Sequence, residues 1–252
     1  MNANVYENDR ALDVPRNTRA ASRKISLAAG LLYLLTFVSI PIGFLYYSVL
    51  NDPNYIIGSG PDTGVVIGGI LEIIVALAGI GTAVVLYPAL KKQNEGLALG
   101  LIGSRVLEAS TMFADVVCLM AIVTLRRAEV GADALVTGKA LVALYGLFRL
   151  GQNLMPAVND LLLGSLLYQS RLVPRVLPVL GIIGAPLLIA NTIVFMFGIT
   201  SGPLYLLTGI GVLPIAIFEF SLGVWLTVKG FNPSAITFPS AKTATSELVS
   251  AA

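Results

Sequence analysis

Residues 96–125 read GLALGLIGSRVLEASTMFADVVCLMAIVTL, and within this run only Arg105, Glu108 and Asp115 carry a charge. About 20 consecutive apolar residues are enough for a helix to cross the hydrocarbon core of a bilayer. Each charged side chain near the bilayer centre costs roughly 2.5–3.5 kcal/mol on insertion scales, so such residues persist where they are buried against partners or have a function. The run therefore predicts a membrane-spanning helix whose charged groups face away from lipid.

The rest of the chain has the same apolar character. Of its 252 residues, 56% are hydrophobic and only 12% are charged, whereas about a quarter of the residues of a soluble domain are charged. Apolar runs of similar length recur, and the alternating polarity of a membrane β-barrel is absent. We predict an all-α, polytopic membrane helix bundle with six transmembrane helices, at about residues 25–50, 64–90, 96–125, 137–168, 174–197 and 203–228.

Polar tails flank the predicted bundle. We predict a disordered tail at residues 1–22, a transmembrane domain at residues 23–230 and a second disordered tail at residues 231–252. Lysine and arginine are concentrated in the first tail, in the second and fourth loops and after the last helix, and such residues favour the cytoplasmic side. Both termini are therefore expected in the cytoplasm, with the bundle in a bacterial cytoplasmic (inner) membrane. The third loop, which carries Arg126 and Arg127, departs from this pattern.

The residue types that are missing exclude several kinds of active site. The chain has no histidine, which a Ser-His-Asp triad, an H-E-x-x-H zinc site and a histidine proton relay all require. Its single cysteine, Cys118, allows neither an intramolecular disulfide nor a Cys-x-x-Cys site. The net charge of +2 gives no electrostatic footprint for nucleic acid. We predict no metal site and no cofactor, and expect the lipid bilayer as the surrounding partner; the oligomeric state stays open.

Two of the predicted helices carry a polar stripe on one side. In the third helix the charged residues are spaced by three and seven, which places them on one face. In the fourth helix Arg149, Asn153, Pro156 and Asp160 are spaced by four, three and four, so that the polar residues among them also share a face. Because neither stripe can face lipid, we expect the two to face each other. The candidate ligand- or ion-binding residues are Arg105, Glu108, Asp115, Arg149, Asn153 and Asp160, and the secondary candidates are Glu72, Gln152, Asn159, Asn191 and Glu219.

Depth in the membrane suggests which of these charges pair. At a rise of about 1.5 Å per residue, Glu108 and Arg149 both reach the middle of the membrane, whereas Arg105 and Asp160 lie nearer the cytoplasmic side. The expected ion pairs are Arg149 with Glu108 or Asp115, and Arg105 with Asp160 or Glu219.

The apolar runs hold five carboxyl groups and only two arginines. An isolated ionised carboxylate is too costly to bury without a partner, and such a group becomes neutral instead. We therefore expect at least one of the five, with Glu72 and Glu219 as the first candidates, to hold a proton at neutral pH. In this hypothesis Arg149 or Arg105 binds an anionic group of a ligand, and a buried carboxyl group carries the proton.

Three functions stay open on the sequence. The first is an integral membrane protein that binds or transports a small molecule, ion or lipid through the polar cluster. The second is a structural or regulatory membrane protein whose buried polar network only fixes helix packing, since polar side chains also hold membrane helices together. The third is a membrane-embedded lipid-modifying enzyme, which without histidine would depend on carboxylates. No activity as an enzyme is assigned.

Three segments resemble a known family. They are Ala28-Ala-Gly30-Leu-Leu-Tyr33-Leu, the pair in Arg105-Val-Leu-Glu108, and Ser170-Arg171-Leu-Val-Pro174-Arg175-Val-Leu-Pro-Val-Leu-Gly181-Ile-Ile-Gly184. They are similar to a bacterial membrane-protein family catalogued as a domain of unknown function, number four-three-eight-six. The resemblance covers about residues 22–229. It implies a multi-pass helical membrane protein, and it implies no substrate.

Overall fold

Six long helices make up the structure, a computed structural model that describes residues 16–199 and 202–235. Each helix, the first together with the short helices that follow it, is long and apolar enough to cross a membrane, and no β-strand occurs in the described residues. The prediction of an all-α bundle with six transmembrane helices is confirmed. The helices are α1 (Arg16–Thr36), α2 (Thr63–Leu90), α3 (Glu95–Arg127), α4 (Ala134–Ser170), α5 (Val176–Met196) and α6 (Gly202–Val228).

The first span departs furthest from the expected single continuous helix. α1 ends at Thr36, and a 3₁₀ turn (Phe37–Ser39) and two short helices (Ile42–Leu45 and Tyr47–Asn51) follow. The interruption falls at Pro41, which lacks a backbone N–H and whose ring would collide with the carbonyl group one turn earlier in a continuous helix. The chain beyond the proline therefore presents a new set of side chains to the interior.

The predicted N-terminal tail overlaps α1, because residues 16–22 are helical. Directly after them, the guanidinium of Arg23 donates hydrogen bonds to the carbonyl groups of Leu226 (3.0 Å) and Thr227 (2.6 Å) at the end of α6. The last carbonyl groups of a helix have no partner within the helix, so these bonds satisfy two of them and tie the first helix to the last. The rest of this tail, residues 1–15, lies outside the described residues.

The predicted C-terminal tail also begins inside the packed structure. The ring of Phe231 is buried against the core. Asn232 donates its backbone N–H to the carbonyl of Leu172 (2.8 Å) and its side-chain amide to the carbonyl of Arg171 (2.7 Å). These contacts fasten the end of the bundle to the loop between α4 and α5, while residues 236–252 lie outside the described part of the chain.

The six helices form a closed ring. Each helix packs against the helices before and after it in sequence, and α6 packs against α1 to close the circle. Short connections between antiparallel neighbours favour this arrangement. In a six-membered ring α3 and α6 lie opposite each other. An even number of membrane crossings brings both described ends of the chain to one side, here called the tail side; the loops at residues 52–62 and 128–133 mark the far side.

Apolar side chains fill the ring at two levels. The tail-side cluster contains large, completely buried leucines from four helices: Leu86, Leu101, Leu166 and Leu226. The far-side cluster combines the residues after Pro41 with α2, α3 and α4, as in Val49, Val65, Leu119 and Ala134. The polar residues of the interior lie between these two levels, at the middle of the helices.

Candidate ligand cavity in the helix bundle

A cavity of about 400 Å³ opens between the two apolar levels, and all six spans contribute to its wall. Most of the wall is apolar, as at Val75, Met112, Leu188, Val212 and Ile215. Polar side chains are concentrated on α3, α4 and α6. Beside the hydroxyl residues Thr36 and Ser39 of the first span, they are Arg105, Glu108, Gln152, Asn153 and Glu219. Four of these belong to two hydrogen-bonded clusters, named here the Arg105 cluster and the Gln152 cluster after their central donors.

The Arg105 cluster is built around a buried guanidinium. Arg105 Nη1 lies 3.0 Å from Glu108 Oε2 on the same helix, and Nη2 lies 2.7 Å from Glu219 Oε1 on α6. Its side chain is only 5% exposed, while the two carboxylates are 14% and 16% exposed because they border the cavity. Nη2 also donates to the hydroxyl of Tyr33 on α1 at 3.4 Å. The expected pair of Arg105 with Glu219 is confirmed.

A second set of contacts extends this cluster to α4. The side-chain amide of Asn159 donates to Glu108 Oε2 at 2.8 Å, and the hydroxyl of Ser104 donates to Asn159 Oδ1 at 2.5 Å. Asp160, the next residue, is completely buried, and neither of its carboxyl oxygens has a hydrogen-bond partner among the described residues. Arg105 keeps one buried donor, Nε, that is also unused. Asp160 was the other expected partner of Arg105, but the guanidinium pairs with Glu108 and Glu219 instead.

The Gln152 cluster lies one level closer to the far side. The side-chain amide of Gln152 on α4 donates to Glu72 Oε1 on α2 at 3.1 Å and to Asp115 Oδ2 on α3. The hydroxyl of Tyr46 donates to the other oxygen of Glu72 at 2.8 Å. Both carboxyl groups are buried, and Asp115 Oδ1 accepts no hydrogen bond from any described residue. One amide thus holds two acidic side chains from neighbouring helices, and it also borders the cavity.

Glycine allows Tyr46 to reach this position. A methyl group at Gly68 on α2 would collide with the Tyr46 ring, so the absence of a side chain lets the ring approach the helix closely. Gly68 is one turn from Glu72, which places the tyrosine hydroxyl beside that carboxylate. The ring of Tyr145 on α4 packs edge-on against Tyr46, with 6.0 Å between centroids. The broken first span, the glycine and the aromatic pair together fix the geometry of Glu72.

Arg149 forms neither of its expected ion pairs. Its Nη1 donates to the hydroxyl of Tyr145 at 3.1 Å, and its guanidinium lies 5.7 Å from the centroid of that ring. Gln152 occupies Asp115, and Arg105 and Asn159 occupy Glu108. The expectation was therefore wrong, because other side chains bind these carboxylates and Arg149 bonds Tyr145 on its own helix.

Arg149 nevertheless lies on the inward-facing side of α4. It falls between buried Tyr145, four residues earlier, and Gln152, three residues later, and these spacings belong to one helix face. Its side chain is exposed all the same. Arg149 is not among the residues that border the cavity.

Of the two remaining sequence candidates, one borders the cavity and the other does not. Asn153 borders the cavity beside Gln152. Asn191 on α5 is half-buried and joins neither cluster. Three tyrosines and one serine take part although they are not among the sequence candidates. Tyrosine counts as apolar in a hydrophobic pattern, so no sequence signal marks Tyr33 or Tyr46. The other two residues have a signal: Tyr145 lies four residues before Arg149, and Ser104 is next to Arg105.

A separate polar site, called here the clamp, holds the end of α3 to the first loop on the far side. Arg126 at the end of α3 binds Asp62 at 2.9 Å and donates to the carbonyl groups of Gly58 (2.9 Å) and Gly60 (2.6 Å). Its guanidinium lies over the Tyr55 ring at 4.3 Å, and the Tyr55 hydroxyl donates to Asp62 at 3.1 Å. Burial and this hydrogen bond raise the pKa of Tyr55 above its usual range. The basic residues of the third loop are thus partly explained by packing against the first loop.

Comparison with known proteins gives one significant match. Searches of curated proteins and of solved structures returned none. A family model described as Domain of unknown function (DUF4386) matches residues 28–230. The match extends from α1 to the residues that follow α6, so it includes both polar clusters and the cavity between the helices. It covers well over half of the chain, and the protein therefore belongs to the DUF4386 family.

Proposed function

We propose that this protein binds a small molecule with an apolar body and a cationic group in its central cavity, as part of its transport across a bacterial cytoplasmic membrane. The observation that carries the proposal is the cavity itself: about 400 Å³ at the middle of six spans, with Glu108 and Glu219 on an otherwise mainly apolar wall. Secondary transporters hold their substrates at this depth, between helices and near the bilayer midplane.

The charges of the wall select the sign of the ligand. The guanidinium of Arg105 is paired with two carboxylates, Glu108 and Glu219, which offset its positive charge. Two carboxylates against one guanidinium leave the wall with a net charge of −1 when all three are ionised. An anion would meet this excess in a medium of low dielectric constant, where like charges repel strongly. The earlier hypothesis that Arg105 binds an anionic group is therefore replaced by a cationic ligand.

The volume selects the size of the ligand. Small-molecule pockets extend over about 300–1,000 Å³ and combine apolar walls with a few placed polar groups. The cavity lies near the lower end of that range. Its size favours a compact amphipathic cation over a whole phospholipid, whose two chains would have to remain outside.

One observation favours the structural alternative. Arg105 joins α3 to α6, and Gln152 joins α4 to α2 and α3, so the same bonds also hold the ring together. Polar bonds of this kind stabilise membrane helix bundles without any ligand. The two functions differ in what a ligand does to the purified protein.

Thermal stability in lipid nanodiscs tests the proposal. Benzyltrimethylammonium is the cationic probe and benzenesulfonate the matched anion, with Glu219→Gln as the cavity variant and the exposed Glu129→Gln as its control. We expect the cation to raise Tm of the wild type and of Glu129→Gln, increasingly with concentration, because it binds the folded state. It should leave Glu219→Gln unchanged. Equal shifts with the anion, or an equal shift in Glu219→Gln, would contradict the proposal; a lower Tm of Glu219→Gln with no effect of either probe on wild type would favour the structural alternative.

The proposed orientation rests on the basic residues of the tail side, including Lys91, Lys92, Arg171 and Arg175. Cys118 is the chain's single cysteine and is buried, so introduced cysteines can be labelled over a low background. In intact cells a membrane-impermeant maleimide should label Asp133→Cys on the far side and spare Gln93→Cys on the tail side until the cells are lysed. The reverse pattern would place the termini outside.

A further inference from the structure

Asp160 is the acidic side chain in the interior whose surroundings leave it least compensated. It is completely buried, and within the part of the chain that the structure describes both carboxyl oxygens lack a hydrogen-bond partner. Two acids face it, Glu108 on α3 and Glu219 on α6, together with Arg105 on α3 and the Tyr33 hydroxyl on α1. An ionised carboxylate without a bonded partner is too costly to bury, and the group accepts a proton instead.

Arg105 is the positively charged group available to pair with Asp160 in place of a proton. Its Nη1 and Nη2 are bound to Glu108 and Glu219, while its Nε is buried and unused. The same cluster thus contains one unused donor on Arg105 and two unused acceptors on Asp160. The structure forms no ion pair between them because the guanidinium points to the two cavity carboxylates. A cation in the cavity would compete for those two carboxylates.

We propose that Asp160 carries an exchangeable proton, which it releases when a cationic ligand displaces Arg105 from Glu108 and Glu219 and the guanidinium turns to Asp160. The inference rests on the proposed cavity function and adds its coupling ion. No metal is needed, since one proton and one organic cation exchange places.

The charges balance at each stage. Before binding, Arg105 contributes +1, Glu108 and Glu219 contribute −1 each, and Asp160 with its proton contributes zero, which gives −1. After binding, the ligand adds +1 and Asp160 adds −1, so the cluster again carries −1. One monovalent cation therefore enters for each proton that leaves, and no net charge accumulates in the bilayer interior, where it would be costly.

The test measures binding of benzyltrimethylammonium to the full-length protein in nanodiscs by calorimetry at several pH values. The probe is permanently charged, so its own protonation cannot create a pH dependence. For the wild type, Kd should fall by about tenfold for each unit by which pH is raised, over the range in which free Asp160 is protonated, because binding displaces one proton. Titrations in buffers of different ionisation enthalpy should show about one proton released per bound probe. Asp160→Asn should bind without pH dependence and without proton release, since its amide cannot ionise.

Two further variants complete the design. Asp160→Glu should restore the pH dependence, and Asp133→Asn, a change of the same type in an exposed loop, should behave as the wild type. A pH dependence that persists in Asp160→Asn would overturn the inference. So would binding to wild type without proton release.

Infrared spectroscopy of the ligand-free protein separates this inference from the proposed function. A protonated carboxyl band should be present in wild type and should lose intensity in Asp160→Asn. An unchanged band would show that Asp160 is ionised and would overturn the inference even if the probe binds. If the probe does not bind wild type, the proposed function fails and the exchange fails with it, whereas a band that depends on Asp160 would still show the buried proton.

Discussion

Arg105 on α3 and Glu219 on α6 form an ion pair across the bundle, with 2.7 Å between Nη2 and Oε1, although their helices lie opposite each other in the ring. The pair therefore sets the width of the interior at the level of the cavity. Its loss should affect the whole bundle and not only one contact.

Arg105→Gln tests this role in stability. The substitution removes the buried guanidinium that pairs with the partly exposed Glu108 and Glu219, and removal of one partner of a buried ion pair typically costs about 3–5 kcal/mol. We expect a loss of that size in the free energy of unfolding, measured by denaturant titration in detergent. The double variant Arg105→Gln with Glu219→Gln should recover part of the loss, because one unpaired carboxylate has been removed. A single variant within about 1 kcal/mol of wild type would show that the carboxylates do not depend on Arg105.

Gln152→Leu tests the amide that bridges Glu72 and Asp115. The leucine removes both hydrogen bonds and leaves two buried acceptors with less compensation, which costs about 1–3 kcal/mol for each unsatisfied group. We expect a clear decrease in Tm relative to the wild type. Gln169→Leu is the matched control, because Gln169 is exposed near the end of the same helix. Equal Tm values for the two variants would contradict a structural role of the bridge.

The limits of the helices follow almost entirely from the sequence, whereas the path of the first span does not. α2 through α6 begin and end within a few residues of the apolar runs that predict them, because run length and flanking polar residues alone determine where a membrane helix fits. The break at Pro41 lies inside such a run. Membrane helices often tolerate proline, so the pattern gives no sign that the helix ends there.

The sequence predicts how deep each site residue lies in the membrane better than it predicts which residue that side chain contacts. Counting residues along each helix brings Arg105 and Glu219 to one level, and their pair is confirmed. The same counting brings Arg149 to the level of Glu108, yet the two do not pair. Axial rise gives no information on which helices are opposite each other, and that lateral order appears only when α6 closes the ring against α1. Hydroxyl partners such as Tyr46 are missed for a related reason, since their orientation depends on the break before them.

Arg126→Ala and Arg127→Ala separate a buried clamp from a surface charge. The Arg126 side chain is 7% exposed and has three acceptors, whereas the Arg127 side chain is 62% exposed and, in the described residues, bonds Asp62 alone. Hydrogen bonds from a charged group contribute about 1.5–3 kcal/mol each, while exposed pairs contribute about 0–1 kcal/mol. We expect Arg126→Ala to lower the free energy of unfolding by several kcal/mol and Arg127→Ala to change it little. Similar effects of the two would rule out the clamp.

Tyr55→Phe should change how stability depends on alkaline pH. The pKa of Tyr55 is raised in the folded protein, so above the ordinary tyrosine pKa of about 10 the folded state holds a proton that the unfolded state has lost. Stability from this group is complete below that pH and decreases as pH rises through the folded-state pKa. Tm of wild type should thus fall more steeply with alkaline pH than Tm of Tyr55→Phe. The exposed Tyr47→Phe is the control, and parallel curves for wild type and Tyr55→Phe would refute the prediction.

Gly68→Ala should disturb the Gln152 cluster from outside it. The added methyl group would meet the Tyr46 ring, which is completely buried and has no room to retreat without losing its bond to Glu72. Overpacking of this kind costs about 1–3 kcal/mol. Gly103→Ala is a matched control on α3, because nothing lies within 4 Å of its added methyl group; there alanine should stabilise the helix by about 0.5–1 kcal/mol. Opposite signs in the two Tm shifts are the expected result, and a neutral Gly68→Ala would show that Tyr46 can move away while the bundle keeps its stability.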